Sequence, residues 1–319
     1  MKRFQNILYV VEESVNQDTA IACAVSLARD NQASLTVLDV VPEPQLSRHV
    51  LSAFFPEGIR SRLIVSQQKK LAGWVAPYRE QLPIRAEVVQ GRQFLEVIRA
   101  VLREGYDLVI KPAENPEWLE RLFGGDDMHL LRKCPCPVWM MKPNDRGRYR
   151  NVVVAVDFDP NDLESEEFEF SLDLLDIAGS VAVAEFAQLH LVHAWEAPEA
   201  GFISAWLDDP EKAELQLLNG ERERHRTGVE ALVQALRERI GVEGYQYLAP
   251  RVHLLMDQAR KAIPAAIRDL NADLLVMGTV ARTGIPGLIM GNTAEMVLNQ
   301  VHCSVLAIKP PGFVSPVTL

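Results

Sequence analysis

A chain that holds an anion without a metal uses backbone N–H groups, and residues 277–295 (MGTVARTGIPGLIMGNTAE) have a composition suited to that task. The apolar run 273–277 is of buried-strand type, and Gly278 ends it, as expected where backbone angles or a close approach forbid a side chain. A loop with Ala281, Arg282, Gly284, Pro286 and Gly287 follows. It leads into a helix start in which Asn292 is the expected N-cap and Glu295, three residues on, completes a capping box. The first N–H groups of that helix, at the positive end of its dipole, then point into the loop, where a phosphate fits. Arg282 reads either as the flexible positive charge for a polyphosphate or as a solvated loop arginine. Thr293 reads either as a ligand hydroxyl or as a first-turn residue.

This stretch resembles the phosphate loop of the universal stress protein family, whose nucleotide-binding members carry Gly, two residues, Gly, nine residues, Gly, then Ser or Thr after the fourth strand. Gly278 and Gly291 keep the outer spacing; the middle position is Ala281, and Asn292 and Thr293 follow the third. The resemblance implies a small-molecule ligand, an adenine nucleotide such as ATP with magnesium, and slow ATP hydrolysis or a ligand-free interaction module as alternatives. It also implies a base near Asp157 and Ala194. Read alone, Asp157 in DFDPN is a turn residue.

The matching stretch of the first half, KPAENPEWLERLFGGDD, lacks glycine at the first two phosphate positions, whether Lys111 or Pro112 partners Gly278. Glu114, Glu117, Glu120, Asp126 and Asp127 bring carboxylates where an anion would sit, and Glu12 stands for Asp157. That half reads as degenerate for nucleotide. Other reactive residues have plainer readings. His190 and His193, three apart on a strand, point to opposite faces and share no ion. His225 in ERERHR reads as part of a solvated helix face. Cys134-Pro135-Cys136 has neither zinc nor two-spaced redox spacing and reads as reduced cysteines where an apolar strand begins.

The elements that position these residues are written twice. NILYVVE at 6–12 matches NVVVAVD at 151–157, and 124–143 matches 291–310 without a gap. Each half alternates five short apolar runs with helix-period segments, so the expected fold is α/β: two tandem doubly wound, Rossmann-like parallel five-stranded sheets. The strands are expected at 7–11, 34–41, 84–89, 107–111 and 137–141, then 152–156, 188–194, 247–255, 273–277 and 304–308. A polar linker at 142–150 separates domains 1–143 and 151–310. This arrangement resembles the tandem E-type members of the family. By that resemblance the last strands of the halves meet in an intramolecular pseudo-dimer, alone or paired again with a second chain.

Composition limits the partners. The 319 residues are 48% hydrophobic and 24% charged, with a net charge of −10, which disfavours general nucleic-acid or anionic-membrane binding. No run approaches the roughly 18 apolar residues of a membrane span, and the 7–11 run is too short for a signal-peptide core. A cytoplasmic protein is expected.

Overall fold

The computed structural model describes residues 4–42, 57–114, 125–142, 149–197, 209–280 and 290–319. In chain order the first half gives β1 (Asn6–Val10), α1 (Gln17–Asn31), β2 (Ser34–Val41), α2 (Glu57–Val75), β3 (Ile84–Gln90), α3 (Gln93–Glu104), β4 (Leu108–Pro112), α4 (Asp126–Lys133) and β5 (Val138–Met141). The second gives β6 (Asn151–Val156), α5 (Glu166–Glu185), β7 (Gln188–Trp195), α6 (Pro210–Leu248), β8 (Arg251–Met256), α7 (Ala259–Asp269), β9 (Leu274–Gly278), α8 (Asn292–Leu298) and β10 (Ser304–Ile308).

The chain divides into two compact units, one mainly of Arg3–Arg148 with His302–Leu319, the other mainly of Tyr149–Gly284 with Gly291–Val301. In the first, the strand order is β3-β2-β1-β4-β5, all parallel, with β10 antiparallel to β5 through Val305↔Met140 and Ala307↔Val138. In the second it is β9-β6-β7-β8, again parallel. The doubly wound α/β class read from the repeat is therefore the observed one, and the last strands of the two halves pair as expected. Successive residues of a strand face opposite ways, yet β4 is buried at every position and β1, β6 and β9 at all but a terminal one. Both faces of these central strands are covered, which is why they read as unbroken apolar runs.

Local chemistry sets the helix ends. Asn16 accepts from Asp18 N–H at the start of α1, and Ser165 accepts from Phe168 N–H at the start of α5. The strand expected from 247 begins only at Arg251. α6 passes a kink at Gly241 (φ 78°), then continues to Leu248, where Ala249 turns left-handed and donates to Tyr245 O.

Winding reverses between β1 and β4 and between β6 and β9, so each half has a crevice at its strand carboxyl ends, where open α/β sheets bind ligands.

Candidate functional site

Register aligns the second half's candidate residues. Val156 pairs with His193 and Ala155 with Met277, so one step past the strand ends Asp157 lies beside Ala194, and Gly278 and Thr279 stand across from Val156 and Asp157. Asp157 is exposed and Ala194 half-buried. Gly291 N–H donates to Thr279 O at 2.9 Å, tying the far end of the loop to the strand that begins it. The bond brings Gly291 to within one residue of Gly278.

Two details differ from expectation. The N-cap of α8 is Gly291 (φ −74°, ψ 144°), without a side-chain cap bond, and Asn292 is the first helical residue. No Asn292 capping box forms; Asn292 and Thr293 sit exposed on the first turn. The close approach at Gly278 is made by the protein's own Phe170: a Cβ there would lie 2.7 Å from Phe170 Cε1 and 3.3 Å from Cζ. Gly278→Ala is therefore expected to destabilise the protein by about 1–3 kcal/mol through overpacking against α5, readable as a lowered urea midpoint with an unchanged slope. Ala281 and Arg282 lie outside the described residues.

An aromatic cluster missed in the sequence lies behind this row. His193, 1% exposed, hydrogen-bonds through Nδ1 to Val156 O at 3.2 Å and through Nε2 to His225 Nδ1 at 2.9 Å. A carbonyl only accepts, so His193 Nδ1 carries its proton; His193 Nε2 then accepts from His225 Nδ1–H. Phe158 stacks on His193 at 4.7 Å and Trp195 on His225 at 5.2 Å. Burial lowers the His193 pKa to about 4. His225 is therefore half-buried and paired, not on a solvated face: α6 turns it inward because Gly228 lets the helix settle on Phe158, where a Cβ would meet Cε2 at 2.7 Å. His190 faces the other way and pairs with His253 at 3.0 Å, so the two strand histidines share no ion, as their spacing implies.

At the same place the first half is filled by its own charges. The register Tyr9↔Ile110, like Val154↔Val276, makes Pro112 the counterpart of Gly278. Lys111, just before it, is 1% exposed, and its Nζ donates to Asp127 Oδ1 at 2.6 Å, Glu12 Oε2 at 3.1 Å and Pro112 O at 3.2 Å, with Glu114 Oε1 at 3.7 Å. Asp127, in the first turn of α4, also accepts from Glu114 N–H at 2.9 Å. Burial pulls the ammonium's pKa down, but Asp127 and Glu12 outweigh it and hold Lys111 charged. Burial and the neighbouring Asp127 push the Glu114 carboxyl up to about 7. Carboxylates were read in this crevice; the buried lysine that pairs with Asp127 and Glu12 was not. Glu117 and Glu120 lie outside the described residues.

A model of the universal stress protein family matches residues 3–142 and again residues 148–309. The chain belongs to that family. It is similar along its whole length to Universal stress protein E of Escherichia coli, at 29% identity covering 100% of this chain and 98% of the relative. The Haemophilus influenzae homologue of that protein is 28% identical over 97% and 98%. Among solved structures, a putative universal stress protein from Pseudomonas aeruginosa UCBPP-PA14 is similar, at TM-score 0.68 and 25% identity, covering 96% of this chain and 94% of that one. One from Archaeoglobus fulgidus shares the fold, at TM-score 0.62 and 19% identity over 97% and 98%. The protein is thus a tandem universal stress protein whose two crevices differ: one holds an internal ion cluster, and at the other Gly291 N–H is bonded to Thr279 O. No helix of the described residues is long and apolar enough to cross a membrane.

Proposed function

We propose that this universal stress protein acts in a cytoplasmic stress response by binding a small ligand, an adenine nucleotide such as ATP, in its second domain alone. The observation that carries the reading is the Gly291 N–H to Thr279 O bond, which closes the loop between Gly278 and Gly291 beside Asp157. The phosphates lie over that loop and the first turn of α8, with Asn292 and Thr293 offering side-chain donors, and the base lies at Asp157 and Ala194. Magnesium arrives with the phosphates, since among the described residues no cluster of three or more His, Cys, Asp or Glu is built to hold an ion.

The first domain is a structural partner. Its Lys111 ammonium is already engaged by Asp127 and Glu12, and Pro112 stands where the loop needs glycine. The division into domains 1–143 and 151–310 is supported by the two family matches.

Denaturing the purified protein and weighing what it releases tests the reading. A nucleotide mass is expected. A molecule without phosphate, released in stoichiometric amount, contradicts it.

A further inference from the structure

A sheet ends in a strand paired on one side only, and in the second unit that strand is β8, bonded to β7. Register sets Val252 beside Leu191 and Leu254 beside His193, so both point to the face where His193 meets His225 of α6. Leu232 and Leu236, both 0% exposed, hold α6 to that face, and Val229 and Val233, one helical turn apart, line a groove with the edge strand. At Gly241 the helix kinks (φ 78°). Beyond it Leu248 packs so closely on Gly179 that a Cβ there would lie 3.0 Å from Leu248 Cδ2, and Tyr245 becomes a further wall of the groove. The groove has a volume of about 370 Å³, in the range of small-molecule sites.

The walls are mainly apolar, and the charges lie on α6. Arg226 is already engaged, 2.7 Å from Glu223 and 3.3 Å from Glu230. Arg237 lies about 16 Å further along the helix axis. Among the described residues its polar or ring contact is with Tyr245, the guanidinium carbon standing 5.8 Å from the ring centroid. A ring face leaves the N–H donors of a guanidinium unused, and their fork matches a carboxylate in a bidentate pair. One end of an apolar groove thus carries a cation with donors to spare, on a chain whose net charge is −10.

We propose that this groove is a second small-molecule site, which takes an apolar monocarboxylic acid of one or two rings. The carboxylate pairs with the Arg237 guanidinium beside Tyr245, and the rings displace water from Val233, Val252 and Leu254. Val252 is 46% exposed, so covering it supplies part of the affinity. A single charge is selected, because Glu230 lines the same groove and repels a second one. A neutral molecule of the same shape forgoes the charge-assisted bonds to the guanidinium and binds more weakly. The groove shares no residue with the strand-end row of Asp157, Ala194, Gly278 and Gly291, so this site does not depend on nucleotide binding.

Equilibrium dialysis of the full chain against 2-naphthoate, with 2-naphthylmethanol as the neutral counterpart, tests the proposal. Saturation at one naphthoate per chain is expected, with a Kd of about 1 mM or below, and the alcohol is expected to bind about tenfold or more weakly. Arg237→Met should bring naphthoate to the level of the alcohol and leave the alcohol unchanged. Val252→Trp, which fills the groove from the strand, should remove the binding of both. Both positions are exposed, so the changes spare the core, and circular dichroism checks the fold. An excess of ATP with magnesium should leave the naphthoate isotherm unchanged, whether or not the nucleotide binds at the strand ends. Absence of saturable binding, equal binding of acid and alcohol, an unchanged isotherm in either variant, or displacement by ATP overturns the proposal. Should a variant not fold, the comparison of acid with alcohol on the wild type decides alone.

Discussion

Replacing Lys111 by methionine is expected to lower stability by about 3–5 kcal/mol, although the side chain keeps nearly the same length and apolar stem. The loss comes from what remains: Asp127 and Glu12, both largely buried, face each other without the ammonium 2.6 and 3.1 Å away. Glu114 softens the loss, because its carboxyl, already pushed up to about 7, takes a proton once the cation is gone. Removing one carboxylate as well, in Lys111→Met/Asp127→Asn, should recover part of the stability, since the groups form one network and their effects are not additive. Urea unfolding of the four members of this cycle measures it. A loss below about 1 kcal/mol for Lys111→Met would mean that the cluster behaves as a solvated surface pair.

Acid should weaken the second unit through His193. Its folded pKa, lowered by burial to about 4, lies below the ordinary value of 6.5, so between these two the unfolded chain binds more protons than the folded one. Stability is therefore full above about pH 6.5 and declines as pH falls, by up to on the order of 3 kcal/mol near pH 4. His190, His225 and His253 are also lowered, chiefly by burial, and act in the same direction. Comparing wild type with His193→Gln across pH 7 to 4.5 isolates the residue: the variant should be less stable at pH 7 and lose less on acidification. Parallel pH curves would place the proton uptake elsewhere.

What the sequence discloses and conceals follows from the distances involved. The strands are legible because central strands covered on both faces must be apolar throughout, and runs such as NVVVAV carry that requirement in five or six consecutive residues. The repeat gives the fold for the same reason. Lys111 is illegible because a lysine ending an apolar run reads as a strand leaving the core. Only the fold brings it to Glu12, 99 positions away, and to Asp127. A lysine followed within a few residues by glutamate and then by a helix opening on two aspartates was the available signal.

His225 is hidden by its neighbours, since ERERHR has the composition of a solvated face and only packing against Phe158 and Trp195 turns one member inward. Gly278 shows the opposite case. The requirement for glycine was legible, but the ring that imposes it, Phe170, arrives from a helix more than a hundred residues earlier. The cap of α8 moved by one residue because Gly291 reaches back to Thr279, a tie that no local pattern records.

Calorimetric titration of ATP with magnesium into the ligand-stripped protein tests most directly whether the second domain is the ligand-binding one. One site per chain is expected in the wild type. Gly291→Val, which puts a branched side chain at the closure of the loop, should weaken binding beyond detection, while Glu114→Gln in the first domain should leave it unchanged. Binding that survives Gly291→Val and is lost on changing Glu114 would place the site in the first domain and contradict the account.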